Sequence, residues 1–83
     1  MNKVLIKVYV PYIGEEYDVF IPVNRKIGTV KKYIINTIYE LSNGNLKNIN
    51  KIRIYDKQTG EILNNNMYIK ESNIRNGTKL ILL

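Results

Sequence analysis

Along residues 3–10 the chain alternates: Val4, Ile6, Val8 and Val10 fall on one side, and Leu5, Lys7 and Tyr9 on the other. A period of two carried by β-branched residues predicts a strand. Pro11 ends it, and Ile13-Gly14-Glu15-Glu16 turns the chain. The alternation resumes over residues 17–23, with Tyr17, Val19, Ile21 and Val23 set against Asp18, Phe20 and Pro22. Two adjacent strands joined through a short glycine-bearing loop predict a β-hairpin. Pro22 has no backbone N–H to give a neighbour, so the second strand is expected at a sheet edge or at a strand end.

The period changes at residue 27. Ile27, Val30, Ile34, Ile38 and Leu41 are spaced by three, four, four and three, which predicts an amphipathic helix with one apolar face. Lys31, Lys32, Asn36 and Glu40 fall on the other side. The isoleucines have modest helix propensity, so packing must hold this helix. Asn24 is the nearest capping residue before its start, and Ser42-Asn43-Gly44-Asn45 supplies the stop. Gly44 is expected in the left-handed conformation that closes a helix.

Residues 46–50 read as a polar loop. Ile52-Arg53-Ile54-Tyr55 resumes the alternation, 56–60 reads as a turn ending on glycine, and Glu61-Ile62-Leu63 reads as a short return strand. Asn64-Asn65-Asn66 is a loop, and residues 72–77 form a turn region with room for one 3₁₀ turn. Residues 79–83 are expected as a strand running to the last residue. The predicted order is β-β-α-β-β-β over one domain, residues 1–83, with no repeat and no interdomain linker.

A hairpin, one long helix, two shorter strands, a turn and a final strand is the order of the β-grasp fold, and the pattern resembles ubiquitin over nearly the whole chain. Ile27 and Val30 stand at the helix start as in ubiquitin, and Ile54 and Tyr55 match its third strand. Ile74, Leu80 and Leu82 match its buried turn and last strand. A closer resemblance is to the YukD-like bacterial ubiquitin-like proteins, small proteins encoded with type VII (WXG-type) secretion systems. It rests on the length, the opening hairpin and the ending Ile74-Arg75-Asn76-Gly77-Thr78-Lys79-Leu80-Ile81-Leu82-Leu83. Members often carry Asn-Gly-Asp before alternating leucines; here Thr78 replaces that aspartate.

The resemblance implies an α+β, ubiquitin-like β-grasp fold, with a mixed sheet of four to five strands and one α-helix packed across one face. It also implies a cytoplasmic accessory of such a secretion system. Ubiquitin and the β-grasp sulfur carriers use a flexible tail ending in Gly-Gly, because adenylation needs an unhindered carboxylate. This sequence ends Ile81-Leu82-Leu83, so neither conjugation nor sulfur transfer is expected. The YukD-like family lacks the diglycine as well.

Composition narrows the chemistry further. The absence of cysteine and histidine removes the thiolate nucleophile, the usual general base and the usual zinc ligands. Glu15, Glu16, Asp18, Glu40, Asp56, Glu61 and Glu71 fall mostly in turns or on outward faces, and no pair has a spacing suited to acid–base work. Ser42 and Ser72 have no histidine to activate them, and no glycine-rich phosphate loop is present. No catalytic residue, cofactor or metal is therefore assigned, and the protein is not expected to be an enzyme. The first twenty residues carry Lys3, Lys7, Glu15, Glu16 and Asp18, which excludes a secretory signal, and no apolar run is long enough to predict membrane insertion. Abundant isoleucine, asparagine and lysine without alanine point to an AT-rich, bacterial genome.

The 13 basic and 7 acidic residues give a net charge of +6, which raises nucleic acid as a partner. The basic residues are spread, however, with no run beyond two, as on a solvated surface. If the strands form one sheet under the helix, Val4, Ile6, Val8, Tyr17, Val19, Ile21, Ile52, Ile54, Leu80 and Leu82 point at it. The alternation then leaves Leu5, Lys7, Tyr9, Phe20, Arg53, Tyr55, Lys79, Ile81 and Leu83 on the open face. A sheet face that meets water is ordinarily polar. Aromatics with arginine instead match a protein interface, although tyrosine and isoleucine suit strands whatever faces them. The expected partner is a protein, such as the cytosolic part of a secretion complex. The alternatives are a nucleic-acid-binding module with Tyr9, Phe20 and Tyr55 as stacking platforms, and a self-associating homodimer.

Overall fold

The computed structural model describes residues 2–83. Its elements are β1 (Lys3–Val10), β2 (Glu15–Pro22), α1 (Ile27–Leu41), β3 (Ile54–Asp56) and β4 (Lys79–Leu82), with 3₁₀ turns at Ile49–Lys51 and Ile69–Glu71. The sheet order is β2-β1-β4-β3. β1 pairs antiparallel with β2 and parallel with β4, and β4 pairs antiparallel with β3, so the sheet is mixed. β2 lies at an edge with Pro22 as its last residue, where a missing N–H costs least.

The alternation read from the sequence becomes the two faces of this sheet. Ile6, Val8, Val10, Val19, Ile21, Ile54, Leu80 and Leu82 are buried together with Ile27, Val30, Ile34 and Ile38 of α1. Val4 and Tyr17, also expected under the helix, are only partly buried and pack at the margin of this cluster. Leu41 departs from expectation: it lies on the apolar stripe of α1 yet is 60% exposed, because it falls on the last turn. Ile35 is buried instead, which makes the apolar stripe broader than the counted spacing. Leu46, in the segment expected to be a polar loop, is also buried in the core.

The helix ends explain where α1 stops. Asn24 is not its cap. Lys26 holds that position with extended backbone and no side-chain hydrogen bond. The first amides are satisfied by main chain instead, Ile27 N–H donating to the Met67 carbonyl and Gly28 N–H to that of Asn65, at 2.8 and 3.0 Å. This close approach suits glycine, since a Cβ on Gly28 would lie 3.1 Å from Asn65 Cβ and 3.2 Å from its carbonyl oxygen. At the other end Asn43 N–H donates to the Glu40 carbonyl and Gly44 N–H to that of Tyr39, a Schellman closure. Both Asn43 (φ 56°) and Gly44 (φ 77°) are left-handed, so the reversal begins one residue before the expected glycine.

The return strand at 61–63 is reduced to one bridge, Tyr55 to Ile62, leaving four strands in the sheet. The 56–60 turn holds as read, with Asp56 Oδ1 accepting from the Gln58 and Thr59 amides at 2.8 and 3.2 Å. β3 begins at Ile54, two residues later than expected, and a 3₁₀ turn at Ile49–Lys51 precedes it. The second 3₁₀ turn lies at Ile69–Glu71, just before the region expected to hold it. β4 ends at Leu82, and Leu83 keeps a main-chain hydrogen bond to Arg53 while remaining exposed.

Candidate functional site

The strand register assembles the open face row by row. Leu5 lies opposite Phe20. Lys7 lies between Asp18 and Lys79. Tyr9 lies between Glu16 and Ile81, and Ile81 is flanked in turn by Tyr55. One row therefore crosses all four strands in the order Glu16, Tyr9, Ile81, Tyr55. Successive side chains on a strand point to opposite faces, so these rows share the face away from α1. Leu5, Lys7, Tyr9, Tyr55 and Ile81 are half-buried, while Phe20, Arg53, Lys79 and Leu83 are exposed.

Charge is organised around that row. Lys7 Nζ lies 3.0 Å from Asp18 Oδ1, an ion pair whose side chains stay largely open to water. The hydrogen bond to the Asp18 carboxylate raises the Lys7 pKa above its ordinary 10.5, and the Asp18 charge adds to the effect. Lys57 places its ammonium 5.3 Å from the centroid of the Tyr9 ring, within cation–π range. It arrives from the turn after β3, whose backbone is tied to β4 by a Lys57 N–H bond to the Lys79 carbonyl.

The lower rim is fixed by the turn before β4. Gly77 N–H donates to the Leu5 carbonyl at 2.8 Å, and Lys7 N–H donates to the Thr78 carbonyl at 2.9 Å. Leu5 N–H donates to Asn76 Oδ1 at 2.8 Å, so a side-chain amide extends the β1–β4 ladder by one rung.

Of the nine residues singled out from the sequence, Tyr9, Ile81 and Tyr55 form a continuous centre, and Leu5, Lys7 and Lys79 adjoin it. Phe20 and Leu83 sit at the margins. Phe20 also lines a groove of about 270 Å³ with Val30 and Tyr33 of α1. Leu83 also lines one of about 280 Å³ with Tyr12 and Leu46. Arg53 stands beside Leu83, bonded to it through the backbone. Asp18 belongs to the same face by the alternation that places Phe20 there, whereas Glu16 joins it because β2 begins at Glu15, within the stretch expected as a turn. Lys57 and Asn76 carry no such signal, because turn geometry alone brings them in.

No protein-family model matches the chain, and no curated protein matches it. Solved structures do. The N-terminal ubiquitin-like domain of the 4931431F19Rik protein is similar at 17% identity and a TM-score of 0.75, over 99% of this chain and 74% of that one. A chain of the MycP5-free ESX-5 inner membrane complex is similar at 15% identity and a TM-score of 0.82, over all of this chain and 21% of that one. A chain of the toluene 4 monooxygenase HD complex is similar at 11% identity and a TM-score of 0.75, over 96% and 95% of the two. Three such different settings establish a shared architecture and leave function to the site itself. The fold is a ubiquitin-like β-grasp.

Proposed function

We propose that the open face of the sheet is a protein-docking surface and that the chain works as a non-catalytic interaction module. The row Tyr9–Ile81–Tyr55 carries this reading: two aromatics and an aliphatic residue lie side by side where a water-facing sheet is ordinarily polar. Lys7 with Asp18, Lys79 and Arg53 surround it as a charged rim, the layout of an interface with an apolar centre. In this reading residues 79–83 act as part of the docking face. Glu16 and Asp18 on the same face weigh against nucleic acid, because Asp18 already engages Lys7 and both carboxylates repel phosphate.

The finer assignment rests on the resemblance of residues 74–83 to YukD-like proteins. The likeness to part of an ESX-5 inner membrane complex chain supports it. The module is then a bacterial, cytoplasmic accessory of a type VII (WXG-type) secretion complex. A neighbouring gene for a secretion ATPase and one for a WXG-type substrate would identify the pathway. Binding of the purified cytosolic part of that ATPase tests the surface. Tyr55→Asp combined with Ile81→Lys should abolish binding while the circular dichroism spectrum stays folded; unchanged binding overturns the reading.

Phe20 favours a second arrangement. It is 59% exposed on edge strand β2, so two copies could join along their β2 edges into a homodimer. Light scattering over a range of concentrations decides this, and a constant monomer mass removes it.

A further inference from the structure

The opposite edge of the sheet carries a groove that shares only Arg53 with the docking face. It measures about 470 Å³ and runs along residues 50–54, between Lys31 of α1 and the 62–65 segment. Its charged lining is Lys31, Lys51 and Arg53, with the amides of Asn50 and Asn65 and no carboxylate. Among the described residues the only ion pair is Lys7 with Asp18, so none of these three cations is neutralised by a partner. The floor is aliphatic, with Ile52 and Ile54 buried and Ile62 exposed at the wall.

The backbone at this groove is also unfinished. The short return segment pairs with β3 through Asp56 N–H to the Glu61 carbonyl and Leu63 N–H to the Ile54 carbonyl, and goes no further. Arg53 exchanges both its backbone groups with Leu83 on the β4 side. Ile52, between the Ile49–Lys51 3₁₀ turn and β3, has extended backbone (φ −71°, ψ 135°) beside that break. An extended chain laid here would continue the pairing that the return segment breaks off.

We propose that this groove docks an extended, carboxylate-bearing segment of a partner protein. Its carboxylates pair with Lys31, Lys51 and Arg53, its backbone meets Ile52, and its apolar side chains rest against Ile54 and Ile62. A single-stranded nucleic acid would satisfy the cations equally, but it relies on aromatic platforms for its bases, and no aromatic side chain lines this groove. The aliphatic floor and open strand edge fit a peptide. This site shares only Arg53 with the rim of the Tyr9–Ile81–Tyr55 face and stands without that face's apolar centre.

Titration of the full ¹⁵N-labelled chain with a short acetylated peptide of alternating valine and glutamate tests the proposal. Amide shifts should concentrate at residues 50–54 and 62–65. The double change Lys31→Glu and Lys51→Glu should weaken binding by about tenfold or more, and high salt should weaken it as well. The double change Tyr55→Asp and Ile81→Lys should leave this affinity within about twofold, which separates the groove from the docking face. Three outcomes overturn the proposal: shifts confined to the open face or absent, equal binding of a valine–lysine peptide, or stronger shifts at the groove from oligothymidylate.

Discussion

Lys7 and Asp18 face each other across the β1–β2 ladder with Nζ and Oδ1 3.0 Å apart, and they do so on the same face as Tyr9, Ile81 and Tyr55. The pair engages one lysine of the open face. Lys79, on the other side of Lys7, has no carboxylate of its own across the ladder, so Lys7 would face like charge if Asp18 were lost. The hydrogen bond from Lys7 to Asp18 holds the lysine pKa above its ordinary 10.5.

A raised lysine pKa stabilises the folded state below the ordinary value and is lost as pH rises through the raised one. The difference in urea midpoint between the native chain and Lys7→Gln should therefore stay constant from neutral pH to the ordinary lysine range and close above it. In Asp18→Asn the Lys7 ammonium should titrate nearer 10.5, as followed by NMR of the side chain. An unmoved titration would show that the pair does not persist in solution.

Ile35 and Leu41 exchange the roles that spacing assigns them. Ile35→Ala removes a buried side chain and should cost about 2–4 kcal/mol of unfolding free energy. Leu41→Lys changes an exposed position and should alter stability by no more than about 0.5 kcal/mol. Urea denaturation of both variants checks the pair; a larger loss at Leu41 would restore the narrower stripe.

Most of the architecture is legible because it is written in periods. The alternation of β1 and β2 and the helical spacing from Ile27 reflect one buried face seeking an apolar neighbour, and Asp56 with Gly60 marks the turn at 56–60. What escapes is tertiary. The cap of α1 comes from carbonyls of Met67 and Asn65, far along the chain, so no local residue announces it. The burial of Leu46 depends on how the chain leaves the helix. The candidate face divides in the same way: Tyr9, Ile81 and Tyr55 follow from alternation, whereas Lys57 reaches Tyr9 only through the turn after β3. The cationic groove is invisible in sequence, because Lys31 and Arg53 are brought together only by folding.

The closure of α1 separates two left-handed residues of different tolerance. Gly44→Ala introduces a Cβ at φ 77° that also lies 3.3 Å from the Tyr39 hydroxyl, and should cost about 1–2 kcal/mol. Asn43→Gly relieves a non-glycine residue at φ 56° and should be neutral or slightly stabilising, within about 1 kcal/mol. Melting temperatures of the two variants should move in this order. A stabilising Gly44→Ala would contradict the left-handed conformation at Gly44.

Asn76 should matter to the open face although its side chain lies on the rim. Its Oδ1 takes the place of a backbone carbonyl opposite Leu5 N–H, one rung below the bond from Lys7 N–H to Thr78. Without it the N-terminal half of β1 is held on the β4 side at Leu5 only by the Gly77 amide. Asn76→Ala should cost about 0.5–1.5 kcal/mol and speed hydrogen exchange at the Leu5 amide. Asn76→Asp keeps an acceptor oxygen in place and should restore slow exchange. If both variants exchange alike, the Asn76 side chain does not form that rung in solution, and the edge of the open face near Leu5 and Phe20 is held by the Gly77 amide and the β1–β2 pairing.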